Sequence, residues 1–244
     1  MTTTDKALYW ATILSACTMG ETAGDFVSFG LKFGYGWASC LLLTLLVIAL
    51  IAEARAKAPN EARYWTTIVV MSTTGTALAD LLTRTLKLGY GWGSALLITV
   101  FGIIYFTERL IKTTVSAKAV RQRGNLPATN AFYCAAILVA STFGTAMGDF
   151  VSSVLHLGFG GASLLLGGLL ALVLTVEFRA KNPNKPRYWT ALVITSTIGA
   201  TTGDFLTKEN GLNLGYAWGS SILIAVFAVI FLFGRRLKSA AGPL

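Results

Sequence analysis

Apolar residues form eight continuous runs along the chain, separated by short polar or glycine-rich segments. Each run is about 18 to 23 residues long, enough for a helix to cross a hydrocarbon core of ~30 Å. The runs are continuous rather than alternating, which favours helices over the strands of a barrel. The pattern predicts an all-α polytopic membrane protein with eight transmembrane helices at 8–30, 36–54, 64–86, 91–108, 131–155, 160–178, 188–207 and 215–233.

Four copies of one helix-pair unit account for these eight runs. An aspartate follows a tyrosine by 16 residues in every unit, and the set is Asp25, Asp80, Asp149 and Asp204. We predict a first half, 1–118, made of units 1–60 and 61–118, a basic cytoplasmic linker, 119–130, and a second half, 131–244, of two more units. Since each unit has an even number of helices, the repeats are parallel, and a pseudo-fourfold arrangement is expected.

Aromatic residues mark both ends of each predicted first helix. Tyr-Trp pairs, or Tyr-Cys in the third unit, stand at its start, and a glycine-rich turn such as Gly34-Tyr35-Gly36-Trp37 follows its end. Tyrosine and tryptophan combine an apolar body with a polar tip, which suits a membrane surface. The Tyr-Trp pairs are therefore predicted to be interfacial belts.

Charge placement predicts the orientation of the chain. The sequence is 54% hydrophobic and 13% charged, with a mean hydropathy of +0.64 and a net charge of +9. Of its 20 Lys and Arg residues, 16 lie at the termini and in the loops after spans two, four and six. By the positive-inside rule both termini are cytoplasmic. The basic segments carry no interleaved aromatics, so nucleic acid is not an expected partner.

A polar stripe follows the first helix of each unit. At 100° per residue, the positions seven and four before the aspartate, the aspartate and the position three after it fall within about 80°. The stripe includes Thr18, Thr142 and, four residues before Asp25, Glu21. Carboxylates and hydroxyls are hard oxygen ligands for Mg²⁺, Ca²⁺ or Mn²⁺. We therefore predict a divalent metal ligand set of Glu21, Asp25, Asp149, Asp80, Asp204, Thr18 and Thr142.

A second stripe of small residues lies beside the polar one. Its glycines are spaced by four, the small-xxx-small pattern that allows helices to pack closely in lipid. This stripe predicts packing by Gly20, Gly24, Gly144, Gly148, Gly199 and Gly203. Such packing would turn the neighbouring polar stripe toward a protein-lined interior.

The four units differ in their charge partners. Asp80 is followed one turn later by Arg84, and Asp204 by Lys208, which are i, i+4 ion pairs. Asp25 and Asp149 have no basic residue there. The hypothesis is that Glu21, Asp25 and Asp149 form the functional cluster, whereas Asp80 and Asp204 are mainly ion-paired and structural.

The segments from Gly20 to Phe26 and from Gly199 to Leu206 resemble a family of bacterial multi-pass proteins catalogued as uncharacterised membrane-anchored proteins. This resemblance covers all four units and implies the fold and a bacterial inner-membrane location. Residues 21–25 are also similar to the Glu-x-Gly-Asp motif of a Mn²⁺/Ca²⁺ transporter family, although Glu21 stands one residue further from Asp25 and Phe26 replaces a basic residue. That second similarity is one of chemistry.

These features predict a membrane transporter or exporter of a small cation, such as Mn²⁺, with the lipid bilayer and the cation as partners. An ATP-binding loop, a zinc motif and a nucleophile triad are missing from the sequence, so energy is expected to come from an ion gradient. An enzyme is the third interpretation, because intramembrane aspartate pairs can be hydrolytic but no substrate-positioning motif accompanies them here. The alternative is a membrane sensor or scaffold in which the stripes only hold helices together. The solute, the coupling ion and a homo-oligomeric state are left open.

Overall fold

The computed structural model describes residues 3–56, 58, 60–114, 130–180 and 184–240. Most of the predicted linker, 119–130, therefore lies outside the described residues. In the described part the protein is all-α, without strands. Its eight helices are α1 (Thr3–Asp25), α2 (Gly34–Ala54), α3 (Glu61–Asp80), α4 (Gly89–Thr114), α5 (Ala131–Asp149), α6 (Gly158–Arg179), α7 (Lys185–Thr207) and α8 (Tyr216–Ala240).

The four odd-numbered helices form a closed ring of contacts. Helix α1 packs against α3 and α7, and α5 packs against the same two helices. Each even-numbered helix packs on the first helix of the following unit: α2 on α3, α4 on α5, α6 on α7, and α8 on α1. Every unit is thereby locked to its neighbour, and the ring closes between the last unit and the first.

Glycines set the spacing within the ring. A Cβ added to Gly20 would lie 2.5 Å from the Ser72 Cβ of the next helix, and one added to Gly144 would lie 2.7 Å from the carbonyl carbon of Ser196. At Gly199 it would lie 2.6 Å from Cys17 Cβ. Real Cβ atoms do not approach other atoms so closely, so the helix backbones touch at these glycines.

The outer helices carry the apolar surface. Among the described residues, five helices are long and apolar enough to cross a membrane by length and composition, namely the four even-numbered helices and α5 of the ring. Tryptophans of the glycine-rich turns stay exposed, with Trp37 at 77%, Trp92 at 80% and Trp218 at 73%. The remaining odd-numbered helices, α1, α3 and α7, contain many Thr and Ser residues, and most of these are buried.

Three of the first helices continue past their aspartate as π-helical turns, at Phe26–Gly30, Leu81–Thr85 and Phe150–Val154. In the fourth unit the α-helix ends at Thr207 and Lys208 is extended, with φ −88° and ψ 157°. The path from Asp204 to Gly215 is two residues longer than the path from Asp25 to Gly34. Those two residues replace the π turn with an irregular loop.

Each turn ends with a glycine at positive φ, between 64° and 72°, at Gly34, Gly89, Gly158 and Gly215. Glycine adopts this left-handed conformation without a Cβ penalty, which explains why a glycine lies at the start of every second helix or directly before it.

Candidate functional site

Glu21 lies at the centre of the ring of odd-numbered helices. Its Oε2 accepts a hydrogen bond from Thr76 Oγ1 at 2.9 Å and another from Thr145 Oγ1 at 2.6 Å. Thr76 belongs to the neighbouring α3, but Thr145 belongs to α5, on the far side of the ring. Because one carboxylate contacts both helices, it lies on the axis that the four helices share. Glu21 is 3% exposed, so it is enclosed by protein.

The four aspartates form a buried layer one helical turn further along, and two cations bridge them in pairs. Arg84 Nε lies 2.8 Å from Asp80 Oδ1, and Arg84 Nη2 donates to Asp149 Oδ2 at 2.9 Å. Lys208 Nζ lies 2.6 Å from Asp204 Oδ1 and 3.2 Å from Asp25 Oδ2. Each cation therefore joins the aspartate of its own unit to that of the next.

This arrangement corrects the predicted assignment of charge partners. The sequence indicates a basic partner for Asp80 and Asp204 alone, because the helices of Asp25 and Asp149 carry no basic residue one turn on. The structure supplies a cation to each from the preceding unit, so all four aspartates are ion-paired. The spacing along one helix could not reveal these partners, because they come from packing between units.

Three of the carboxylates are close enough to hold one cation. One oxygen from each of Glu21, Asp25 and Asp204 lies within 4.8 Å of the others, and all three residues are buried. Neither oxygen of Asp25 makes a hydrogen bond within the described residues, although Asp25 is only 1% exposed. Buried carboxylate oxygens are normally hydrogen-bonded. These three carboxylates, named here the carboxylate trio, thus contain an unsatisfied acceptor.

Negative charge exceeds positive charge at this site. Glu21 and four aspartates share two cations, Arg84 and Lys208. With every carboxylate ionised the group carries a net charge of −3. Such an excess inside protein is costly unless protons or a bound cation offset it. The site is suited to attracting a cation.

The tyrosines at the starts of the odd-numbered helices form a closed ring of hydroxyls, named here the tyrosine ring. The O–O distances are 2.7 Å for Tyr9 and Tyr188, 3.0 Å for Tyr188 and Tyr133, 2.8 Å for Tyr133 and Tyr64, and 3.4 Å for Tyr64 and Tyr9. Each hydroxyl can donate to one neighbour and accept from the other. The ring joins all four helices at the end opposite the aspartates.

The tyrosine ring overturns the prediction of interfacial belts at the Tyr-Trp pairs. Tyr9, Tyr64 and Tyr133 are buried, and so are Trp10 and Trp65. A belt residue needs a lipid-facing helix, whereas these helices are surrounded by others. The recurrence of tyrosine in one register of every unit was the available signal, since four such residues meet if the helices form a ring.

The aspartate end opens into a vestibule of about 530 Å³. Its lining includes Arg84, Asp149, Lys208 and the aromatic rings of Phe29, Tyr90, Phe159 and Tyr216. Three contacts place cations against these turns: Arg84 lies 5.9 Å from the Tyr35 ring centroid and 5.8 Å from that of Tyr90, and Lys208 Nζ lies 5.5 Å from that of Phe159. Such cation–π contacts favour positive charge here. Among the aspartates, Asp149 lines the vestibule, which gives this edge of the layer a route to the surface.

The remaining predicted ligands lie near the site but use their hydroxyl protons locally. Thr18 Oγ1 donates to the carbonyl of Leu14, and Thr142 Oγ1 donates to that of Leu138, each at 2.9 Å. Their oxygens keep lone pairs that can accept. Among the packing residues, a Cβ added to Gly203 would lie 3.0 Å from Glu21 Cβ, and one added to Gly24 would lie 2.8 Å from Thr76 Cβ. A Cβ added to Gly148 would lie 3.2 Å or more from its nearest neighbours, which ranges from a tight to an ordinary contact. These glycines bring the neighbouring helices close to Glu21.

The fold and site define a helical-repeat protein with several helices able to cross a membrane and a buried acidic centre. A repeat described as Repeat of Unknown Function (DUF347) matches four segments, 8–58, 63–110, 132–182 and 187–239. The chain therefore belongs to the DUF347 family, and its four matches coincide with the four helix pairs. No curated protein and no solved structure matches it.

Proposed function

We propose that the protein is a membrane transporter of a small inorganic cation, with a divalent metal such as Mn²⁺ as the candidate substrate. In this proposal all eight helices span the bilayer around a pseudo-fourfold axis. The protein lies in a bacterial inner membrane with the tyrosine ring at the cytoplasmic end, as the positive-inside pattern indicates. Lipid surrounds the even-numbered helices.

The position of Glu21 is the observation that carries the proposal. A carboxylate on the shared axis of four helices is costly in a membrane protein unless it serves a cavity, a partner or an ion. Two hydroxyls hold it in place, at 2.9 and 2.6 Å. Asp25 and Asp204 approach it, and together they offer three oxygen ligands of the type that divalent cations prefer.

The two ends of the axis support a transporter rather than an open pore. The vestibule gives access at the aspartate end, whereas the tyrosine ring closes the opposite end with four linked hydroxyls. Access from one side at a time is the requirement for alternating access. Substrate release on the second side then requires the tyrosine hydroxyls to separate.

Flux into proteoliposomes tests the proposal. The purified full chain is reconstituted around a dye that Mn²⁺ quenches, and Mn²⁺ is added outside. We expect quenching with the wild-type chain and at least about a tenfold slower rate with Glu21→Gln, because the substitution removes the axial charge. Glu53→Gln is the matched control, since Glu53 is also buried but pairs with Arg63 at 3.0 Å on another helix.

Two outcomes would contradict the proposal. A wild-type chain that gives no more Mn²⁺ quenching than empty liposomes, and no more Ca²⁺ or Mg²⁺ uptake with dyes that respond to those ions, would favour the sensor or scaffold. Equal losses from Glu21→Gln and Glu53→Gln would show that the axial carboxylate has no special part in transport.

A further inference from the structure

The two cations of the aspartate layer are held in different ways. Arg84 lies inside a π-helical turn, and its Nη2 makes a hydrogen bond to Asp149 at 2.9 Å. Lys208 follows the last residue of α7 in an extended conformation, at the start of the longer loop. Lys208 Nζ contacts Asp204 at 2.6 Å and Asp25 at 3.2 Å as ion pairs without a hydrogen bond, and the Arg84 contact with Asp80 at 2.8 Å is of the same kind. The two cations differ at their second aspartate, to which Arg84 donates a hydrogen bond and Lys208 makes only the longer ion pair. The contact between Lys208 and Asp25 is therefore the weakest of the four.

The carboxylate trio lies on the Lys208 side of the layer. Asp25 and Asp204 are the two aspartates that Lys208 contacts, and Glu21 is the third member. Asp25 Oδ1 has neither a hydrogen bond nor an ion pair among the described residues, in a side chain that is 99% buried. Asp25 Oδ1 is thus an acceptor without a donor, and it lies next to two further carboxylates. This arrangement indicates a bound cation whose contacts the Lys208 ammonium group supplies only in part.

We propose that Lys208 is a tethered cation that occupies the carboxylate trio until a free divalent cation binds there and displaces it from Asp25. This inference rests on the proposed function, and it names the cation site and its internal competitor. The trio carries a charge of −3 when ionised, so Lys208 leaves −2, whereas a divalent cation can bind three oxygens at once. The displaced Lys208 ammonium group stays close to the aspartate layer, because its own side chain tethers it there.

The structure provides space for Lys208 to move. The lysine lines the vestibule and is 17% exposed in its side chain. The Phe159 ring, 5.5 Å from Nζ, offers a cation–π surface on the vestibule wall. Rotation of a flexible four-carbon side chain toward that ring would free Asp25 without moving a helix.

Equilibrium Mn²⁺ binding to the full chain in detergent, followed by the EPR signal of free Mn²⁺, tests this competition. We expect Lys208→Gln to lower the Kd at least about tenfold, because a charge within about 4 Å of the bound ion is removed. Lys32→Gln makes the same exchange in an exposed turn and is expected to change the Kd by less than about threefold, because solvent screens an exposed charge. An unchanged or higher Kd for Lys208→Gln, or an equal gain for Lys32→Gln, would overturn the proposal.

A charge-balanced pair of variants covers the case in which Lys208→Gln does not fold. Asp204→Asn with Lys208→Gln removes one charge of each sign, and it is compared with Asp204→Asn alone. The double variant should bind Mn²⁺ more tightly than the single one, and equal or weaker binding would overturn the competition. Flux measurements distinguish the two proposals. If the Lys208 variant binds Mn²⁺ more tightly but the wild-type chain gives no flux, only the transport proposal is wrong. If the wild-type chain gives flux but the Lys208 variant has an unchanged Kd, only the tethered-lysine proposal is wrong.

Discussion

Gly144 provides a quantitative test of the close packing that places Glu21 on the axis. It lies in α5 where that helix touches α7. A Cβ at this position would lie 2.7 Å from the carbonyl carbon of Ser196 and 3.0 Å from its oxygen. Both are backbone atoms, so no side-chain rotation relieves the contact. Carbon atoms pack at about 3.5–4.0 Å, and Gly144→Ala therefore has to move the two helices apart by roughly 1 Å.

The expected cost follows from two opposing effects. Overpacking of this kind costs about 1–3 kcal/mol, whereas alanine is favoured over glycine in a helix by up to about 1 kcal/mol. We expect Gly144→Ala to lower the free energy of unfolding by about 1–2 kcal/mol. Since Thr145 is the next residue, the movement also stretches its 2.6 Å hydrogen bond to Glu21. Cation flux should fall together with stability.

Reversible unfolding in mixed micelles, titrated with SDS, measures the change. Gly168→Ala is the matched control, because Gly168 lies in α6 and an added Cβ there meets nothing within 4 Å. The control should be neutral or more stable by up to about 1 kcal/mol, from helix propensity alone. The reasoning is refuted if the two variants change the unfolding free energy equally, or if Gly144→Ala is the more stable one.

Three further substitutions test single interactions of the site. Thr145→Val keeps the shape of the side chain but removes the hydroxyl that makes the shorter hydrogen bond to Glu21. We expect the free energy of unfolding in SDS to fall by about 1–3 kcal/mol, and a smaller loss would mean that the bond is unimportant. Tyr133→Phe breaks two hydrogen bonds of the tyrosine ring and should cost about 1–2 kcal/mol while speeding cation leak in proteoliposomes; an unchanged leak contradicts a closed end. Arg84→Gln leaves two aspartates without their cation and should lower the free energy of unfolding by about 3–5 kcal/mol. Adding Asp149→Asn should recover a part of this loss, and a double-mutant cycle measures the non-additivity.

Periodicity alone predicts much of this fold, because the signals are local and repeat four times. Helix pairs follow from apolar runs between glycine-rich turns, and the close contacts at Gly20 and Gly199 follow from small residues spaced by four. Such features depend on one helix and on the residue type at its surface. The prediction therefore needs no knowledge of how the units are ordered in space.

The partners across units could not be predicted, because they depend on the closed ring. Arg84 is one turn from Asp80 in sequence, but only the contact between α3 and α5 brings Asp149 to its other side. Tyr9 shows the same limit: the pair with Trp10 is typical of a membrane surface, yet enclosure by other helices buries it. A Tyr-Trp pair, which is typical of a membrane surface, is therefore part of the core when its helix lies inside a ring of helices.

Differences between the repeats distinguish one part of the ring of odd-numbered helices from the others. The two halves match at an offset of 124 residues, which pairs Arg84 with Lys208 and Glu21 with Thr145. In the first pair a hydrogen-bonded guanidinium corresponds to an ammonium on a longer loop; in the second, an acid corresponds to the hydroxyl that donates to it. Both differences place charged groups beside Asp25 and Asp204. Four identical units would present four equal groups of side chains around the axis, whereas these two substitutions place the proposed ligands and their proposed competitor at one of them.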